Sequence, residues 1–320
     1  MSGRRILNVM SEAVTSAALW ADRPGPVRSR LRGTVRGARR ALSRLDPTVR
    51  YKLDSFEIEL PLSHELPFYR AAFPEYDANL GRLAAAVGQK YPGDAIVDIG
   101  ANVGDTAAII RSNCSAPLLC IEGSEPFSRL LERNAARLGP NVFTARAFVG
   151  NPASSQGTIV SSGKGTARLV PSTSGRSIEL TRLSDILARF PALPPVRLVK
   201  IDTDGFDWPI LEDSLDVWER AHPVLFVEFD PALYPASWDP LPALERLARL
   251  GYGSAMVYDN TGEYVISVSL EDRAALEDVH QYYSGRNSAR YADLCLFHSA
   301  DRDLWQGLRR AEIARSLSRR

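Results

Sequence analysis

The stretch AIVDIGANVGDTAAII, residues 95–110, constrains this chain more than any other. Ala95, Ile96, Val97 and Ile99 around Asp98 suit a buried strand, Gly100 and Gly104 bracket a tight turn at Asn102, and Asp105 and Thr106 open a helix. Strand, glycine turn and helix in that order make a ligand cradle in open α/β sheets. From Pro92 onward the same alternation recurs, with strands expected at 95–99, 118–122, 142–147, 196–202 and 223–229. Helices are expected at 104–112, 125–138, 207–219 and 241–250. Such alternation predicts an α/β fold around a largely parallel sheet with helices on both faces.

The remaining segments frame this domain, expected over 92–300. Residues 1–45 carry ten arginines against Glu12 and Asp22, a charge of +8, which leaves −7 for the rest of a chain whose net charge is +1. Residues 1–48 therefore read as a basic helical arm on an acidic body. Its blander role is a solvated or partner-packed appendage; its sharper one is peripheral attachment to an anionic membrane surface. Residues 49–91 read as a cap, a strand or hairpin followed by a helix. Between 150 and 195, GTIVSSGKGTARLV and RSIELTRLSDIL predict a β-rich insertion with a Ser/Gly-rich tip. A hairpin turning at Asp259–Gly262, a helix near 271–283, a strand near 291–298 and a charged C-terminal helix within 301–320 complete the expected order. The three cysteines make no metal spacing, and no apolar run reaches the ~18 residues of a spanning helix. Cytoplasm is the expected location.

The turn selects the ligand. A dinucleotide fingerprint needs G-x-G-x-x-G, but here the spacing is G-x-x-x-G with Ala101 in place of the middle glycine. Asp98 would repel phosphate and suits an ammonium or sulfonium group, which argues against a nicotinamide-dependent oxidoreductase. Glu122 ends the second strand 22 positions after Gly100, where an acidic residue commonly accepts from a ribose diol. Adenosine joined to a cationic amino acid describes S-adenosylmethionine. The fourth strand, LVKIDTDGFDW, ends in Lys200, Asp202, Asp204 and Asp207, and the fifth, VLFVEFDP, in Glu228 and Asp230. Carboxylates thus converge on the sheet edge where such folds bind ligands.

IVDIGANVGDTA, LCIEGSEPFSRLLERN, LVKIDTDGFDWPIL and VLFVEFDP together resemble the FkbM family of S-adenosylmethionine-dependent methyltransferases, in order over roughly residues 50 to 298. The resemblance implies a Rossmann-like class I methyltransferase fold, a seven-stranded sheet in the order 3-2-1-4-5-7-6 with the last strand antiparallel. It implies O-methylation of a hydroxyl on a sugar, glycolipid or secondary metabolite of bacterial type. It also implies that Asp98, Gly100, Ala101, Asn102, Gly104 and Thr106 surround the methionine part of the donor and Glu122 its ribose. Asp204 stands where relatives often carry Glu. AFVG at 147–150 replaces the commoner Ala-Leu-Ser-Asp, so a backbone contact near Phe148, in place of a polar side chain, is expected to serve the adenine amine.

Methyl transfer to an alcohol is an in-line displacement helped by a general base. Asp202 is the carboxylate expected nearest the reacting centre, with Asp204 and Glu228 as alternatives and His64, in the cap, as the candidate imidazole. His222 and His298 fall at the opposite sheet edge and His280 on a peripheral helix. Asp202 or Asp204 has a structural alternative as a helix cap. No metal is required, although Asp202 with Glu228 or Asp230 would suit a divalent ion. Tyr76, with Tyr69, Phe206 and Trp208, is an aromatic candidate for the acceptor pocket. The competing function is an RNA methyltransferase using the basic arm, but the fourth strand lacks the Asn/Asp-Pro-Pro-aromatic pattern of amino-methylating enzymes and no nucleic acid is expected.

Overall fold

The computed structural model describes residues 3–23, 26–154, 158–161, 167–170, 178–284 and 291–319. Two helices, α1 (Gly3–Asp22) and α2 (Pro26–Leu42), form the arm. A hairpin, β1 (Thr48–Leu53) and β2 (Phe56–Pro61), leads to α3 (Leu66–Ala72) and α4 (Ala78–Lys90). The first alternating units are β3 (Ala95–Ile99), α5 (Asp105–Asn113), β4 (Leu118–Ile121), α6 (Glu125–Leu138) and β5 (Val142–Ala145). Short strands follow, β6 (Phe148–Val149), β7 (Thr158–Ser161), β8 (Ala167–Val170) and β9 (Leu180–Thr181), then α7 (Leu183–Ala188). The chain re-enters the sheet with β10 (Val196–Ile201), α8 (Asp207–Asp213), α9 (Leu215–Ala221), β11 (Val224–Phe229) and α10 (Leu241–Arg249). It ends with β12 (Tyr252–Asp259), β13 (Tyr264–Ser269), α11 (Arg273–Ser284), β14 (Ala292–His298) and α12 (Arg302–Ser318).

The central sheet has eight strands in the order β13-β12-β14-β11-β10-β3-β4-β5. Without β13 this is the expected 3-2-1-4-5-7-6 order, and β14 runs antiparallel to β11 as expected. The count of seven is corrected to eight. The turn at Asp259 closes a hairpin that sends β13 back along β12 as an antiparallel edge, with Gly262 donating its N–H to the Asp259 carbonyl at 2.9 Å. The inner strands β3, β10 and β11 are mostly apolar and almost wholly buried on both faces, which is what a parallel sheet between two helical layers demands. One core packs α4, α5, α6, α12 and the β1–β2 hairpin on one face, and the other packs α7 to α11 opposite.

Local departures from the expected elements have physical causes. The helix expected over 207–219 breaks at Ser214 (φ −111°, ψ 19°). The Leu211 carbonyl that the break leaves open accepts instead from the Trp218 indole N–H at 2.8 Å. The strand expected over 142–147 stops at Ala145, and β6 peels away to pair with β9. The second half of RSIELTRLSDIL is helical, because Leu183 and Ile186 stand three apart and both are buried. The Ser/Gly-rich tip between β7 and β8 lies outside the described residues.

The arm folds back on its own chain. Arg39 of α2 donates to Glu65 at 3.1 Å and to the carbonyls of Leu62 and His64 at 2.8 and 3.1 Å. At the other end, Glu312 of α12, 2% exposed, takes a two-pronged ion pair from Arg82 of α4 at 2.7 and 3.0 Å. No helix among the described residues is long and apolar enough to cross a membrane.

Candidate active site

The β3–α5 turn is built for close packing. Gly100 has φ +77°, and a Cβ there would lie 1.8 Å from the Asp202 carbonyl oxygen. Only glycine lets the tips of β3 and β10 approach this closely. The N–H groups of Gly100 and Ala101 both donate to the Ile121 carbonyl, at 3.0 and 3.1 Å. Gly104, at φ 88°, then turns the chain into α5.

Beneath the turn lies a buried charge network. Lys200 of β10 stands in register with Asp98 of β3. Its Nζ is 3.2 Å from Asp98, 3.4 Å from Asp202, and donates to the Gly100 carbonyl at 3.1 Å. Burial alone would push this ammonium down, but Asp202, Asp98 and Asp105 together hold its pKa well above the ordinary lysine value. Thr106 donates to the other oxygen of Asp98 at 2.6 Å. Asp98 is fully buried and does not face the pocket. The expectation that it touches the donor's cationic end is corrected: its charge is met inside the protein by Lys200. Ala101 is likewise buried, and neither it nor Gly104, the N-cap residue of α5, lines the pocket.

Above this network, at the carboxyl ends of β3, β4, β10 and β11, opens a cavity of about 310 Å3. Of the expected donor-binding residues, Gly100, Asn102, Thr106, Glu122, Phe148 and Asp202 line it. So do the four catalytic candidates, Asp202, Asp204, Glu228 and His64, and the substrate candidate Tyr76. Phe206 and Tyr69 share the wall, whereas Trp208, 1% exposed, is core and donates its indole N–H to the Glu228 carbonyl at 3.2 Å. His222 and His298 stack on each other, ring centroids 4.1 Å apart, and neither lines the pocket.

Glu122 accepts from the N–H of Asn102 at 3.0 Å and of Ser124 at 2.7 Å, which fixes its carboxylate at the mouth of the turn. Burial raises its pKa against those two bonds. Asp207 holds the next turn. One of its oxygens accepts from the N–H and hydroxyl of Thr203 at 2.5 and 2.9 Å, the other from Gly205 N–H and the Tyr234 hydroxyl at 3.1 and 3.2 Å. The capping role expected of Asp202 or Asp204 is not taken up, since the N-cap of α8 is Phe206 with no side-chain cap; Asp207 instead pins the turn before the helix, and burial pushes its pKa up to about 6. Asp202, Asp207 and Glu228 bring one oxygen each within 4.8 Å of one another. In this crowd Glu228, 8% exposed, has its pKa pushed well up, by burial first and then by Asp202 and Asp207. A raised pKa favours the protonated form of the Glu228 carboxyl, which donates rather than accepts.

His64 is engaged at one ring nitrogen. It reaches the pocket wall as expected, but its Nδ1 accepts the Leu66 N–H at 3.2 Å. Burial lowers its pKa, and a neutral ring accepting at Nδ1 carries its proton on Nε2. That buried Nε2 has no hydrogen-bond partner among the described residues, so it offers a donor to a ligand.

The residues of the wall that escaped sequence reasoning include Asp77 and Tyr291. Asp77, in the left-handed conformation (φ 59°) before α4, has its pKa raised to about 8, by burial and by the charges of Asp105 and Asp202. Tyr291, at the start of β14, shares a side-chain hydrogen bond with Tyr76. Tyr76 in turn stacks on Tyr69, centroids 5.4 Å apart and planes 15° apart. No local motif marks either residue; each reaches the pocket only through tertiary structure.

The strand order, with a cavity at the strand tips over a Gly-turn, defines a class I methyltransferase fold. More particularly, residues 98–253 match the family model of the methyltransferase FkbM domain. No curated protein matches. Among solved structures the chain is similar to an O-methyltransferase from Bacillus cereus in complex with SAH, at 15% identity over 72% of this chain and 87% of that one, TM-score 0.37. It is similar also to a precorrin-6y C5,15-methyltransferase from Geobacter metallireducens GS-15, at 16% over 68% and 86%, TM-score 0.35. Likenesses this distant say nothing of chemistry or substrate.

A methyltransferase domain of this class takes S-adenosylmethionine as its methyl donor, and the residues present fit it. The Glu122 carboxylate, an acceptor group, and the flat apolar ring of Phe148 both line the cavity. A Cβ on Gly123 would run into the Phe148 ring, at 2.1 Å, so the floor between them is shaped by the missing side chain. The unpartnered Nε2–H of His64 suits a carboxylate end.

Proposed function

We propose that this protein is an O-methyltransferase acting on a hydroxyl of a sugar, glycolipid or similar small molecule. The observation that carries the reading is the meeting, in one cavity, of acidic strand tips from β4, β10 and β11 with a tyrosine-lined cap. S-adenosylmethionine, when bound, supplies an electrophilic methyl group. The chain's own residues do the rest. Glu122 holds the ribose, Gly100 and Asn102 receive the methionine part, and the His64 Nε2–H donates to its carboxylate. Tyr69, Tyr76 and Tyr291 present faces and hydroxyls on which a ring bearing hydroxyls can lie. Asp202, paired to Lys200, orients the attacking hydroxyl. Asp77, with a proton affinity raised into the working range, takes its proton, since a base matched to ambient pH is the effective one.

The test is a pH–rate profile once an acceptor has been found by screening sugars and glycolipids with labelled donor. Turnover that rises to a plateau with a midpoint near 8, and whose pH limb is lost in Asp77→Asn, supports the assignment. A profile flat from pH 6 to 9 contradicts it.

A further inference from the structure

Between α2 and α3, the arm and the cap enclose a second cavity of about 840 Å3. Arg23, Arg32, Arg36, Arg39 and Arg40 line it, against the carboxylates of Asp22 and Glu65. Five guanidiniums facing two carboxylates leave a surplus of three positive charges on one concave wall. The two carboxylates anchor the arginines: Arg36 pairs with Asp22 at 2.9 Å and Arg39 with Glu65 at 3.1 Å. Arg32 is tethered to the Ala21 carbonyl at 3.2 Å, and the Arg39 guanidinium lies 4.3 Å from the centre of the Phe68 ring. Gathering like charges costs Coulomb energy that an anion relieves, and planar guanidiniums fixed beforehand match phosphate oxygens two at a time. Tyr69 belongs to the walls of both cavities, so an occupant of the arginine cavity lies next to the reaction pocket.

We propose that the arginine-lined cavity holds a phosphoryl or pyrophosphoryl group of the methyl acceptor, whose hydroxyl-bearing part passes Tyr69 into the strand-tip pocket. That the phosphate belongs to the acceptor rests on the reading of the pocket as the methyl-transfer site; the anion site itself does not. Soluble sugar phosphates and lipid-linked ones share this chemistry.

Calorimetric titration of the full chain with inorganic pyrophosphate tests the site. The wild type is expected to bind one pyrophosphate, and an Arg36→Gln/Arg40→Gln double variant to bind it about tenfold or more weakly. Both proteins should bind S-adenosylhomocysteine equally, which separates this site from the donor site. Failure of the wild type to bind pyrophosphate, or equal affinity in the double variant, overturns the proposal. Absence of S-adenosylhomocysteine binding in both overturns the donor reading instead. Co-sedimentation with phosphatidylcholine vesicles containing phosphatidylglycerol, competed by pyrophosphate, supports a lipid-linked acceptor. No co-sedimentation alongside pyrophosphate binding supports a soluble one. Co-sedimentation that pyrophosphate fails to compete overturns the proposal, because the arm would then meet the surface without the cavity.

Discussion

Among the charged residues near the strand tips, Asp98 does not line the pocket, whereas its partner Lys200 does. Each neutralises the other across β3 and β10, and together they hold the floor on which the Gly100 turn sits. Removing one member of a buried pair leaves the other without compensation. Asp98→Asn should therefore lower unfolding stability by about 3–5 kcal/mol, read by urea denaturation. Donor affinity in the protein that remains folded should change far less. A variant of wild-type stability with lost donor affinity would return Asp98 to the pocket. The Gly-turn, Asp98 and Glu122 were legible as an acidic strand–turn–helix cradle. Which acid faced the ligand was not, because that depends on Lys200 lying in register across a neighbouring strand more than ninety residues away in sequence. His64 shows the same limit. Its place in the cap was legible, while its tautomer follows from a single backbone N–H at Leu66.

At the scale of elements, the cap is held to the sheet layer by Asn134 of α6. Fully buried, it donates to the carbonyls of Glu59 and Val103, both at 2.7 Å, and accepts the Glu59 N–H at 2.7 Å. These bonds seat β2 on α6 and so set where residues 62–77 fall over the pocket. Asn134→Ala leaves buried backbone groups of β2 unpaired and should cost about 2–4 kcal/mol. Amide exchange in β1–β2 should accelerate while that of β10 does not; equal exchange in both would show that the hairpin is held elsewhere. The strands of the sheet were legible almost to the residue, since apolar runs bounded by Pro, Gly and charge mark buried parallel strands. The α8–α9 break and the helix α7 were not, because each depends on packing partners: the Trp218 indole in one case and a neighbouring helical layer in the other.

Across the whole molecule, the pocket gathers more acids than Lys200, its buried cation among the described residues, can balance, and burial with mutual repulsion raises the pKa of several. Folded-state values near 6 for Asp207 and 8 for Asp77 lie above the ordinary aspartate value. The folded chain then binds these protons more tightly than the unfolded one. Stability from this source is present below about pH 4 and is lost as pH rises through 6 and 8, levelling above. Urea unfolding at pH 5 and pH 8.5 should find the protein less stable at the higher pH, and a donor with a cationic end should narrow the gap. Stability that is equal at both, or higher at pH 8.5, would mean that these carboxyls are ionised in the fold. The arm, read from its charge as a solvated or partner-packed appendage or as an attachment to an anionic membrane surface, packs on the cap and lines a cavity of its own, which no count of arginines could specify.

The strand-tip cavity as the seat of the methyl donor is tested most directly by calorimetric titration with S-adenosylhomocysteine, on the wild type and on Glu122→Ala. One molecule should bind per chain, and the variant, still folded by its melting curve, should bind about tenfold or more weakly. No binding by the wild type, or an affinity untouched by the loss of the Glu122 carboxylate, would contradict the account.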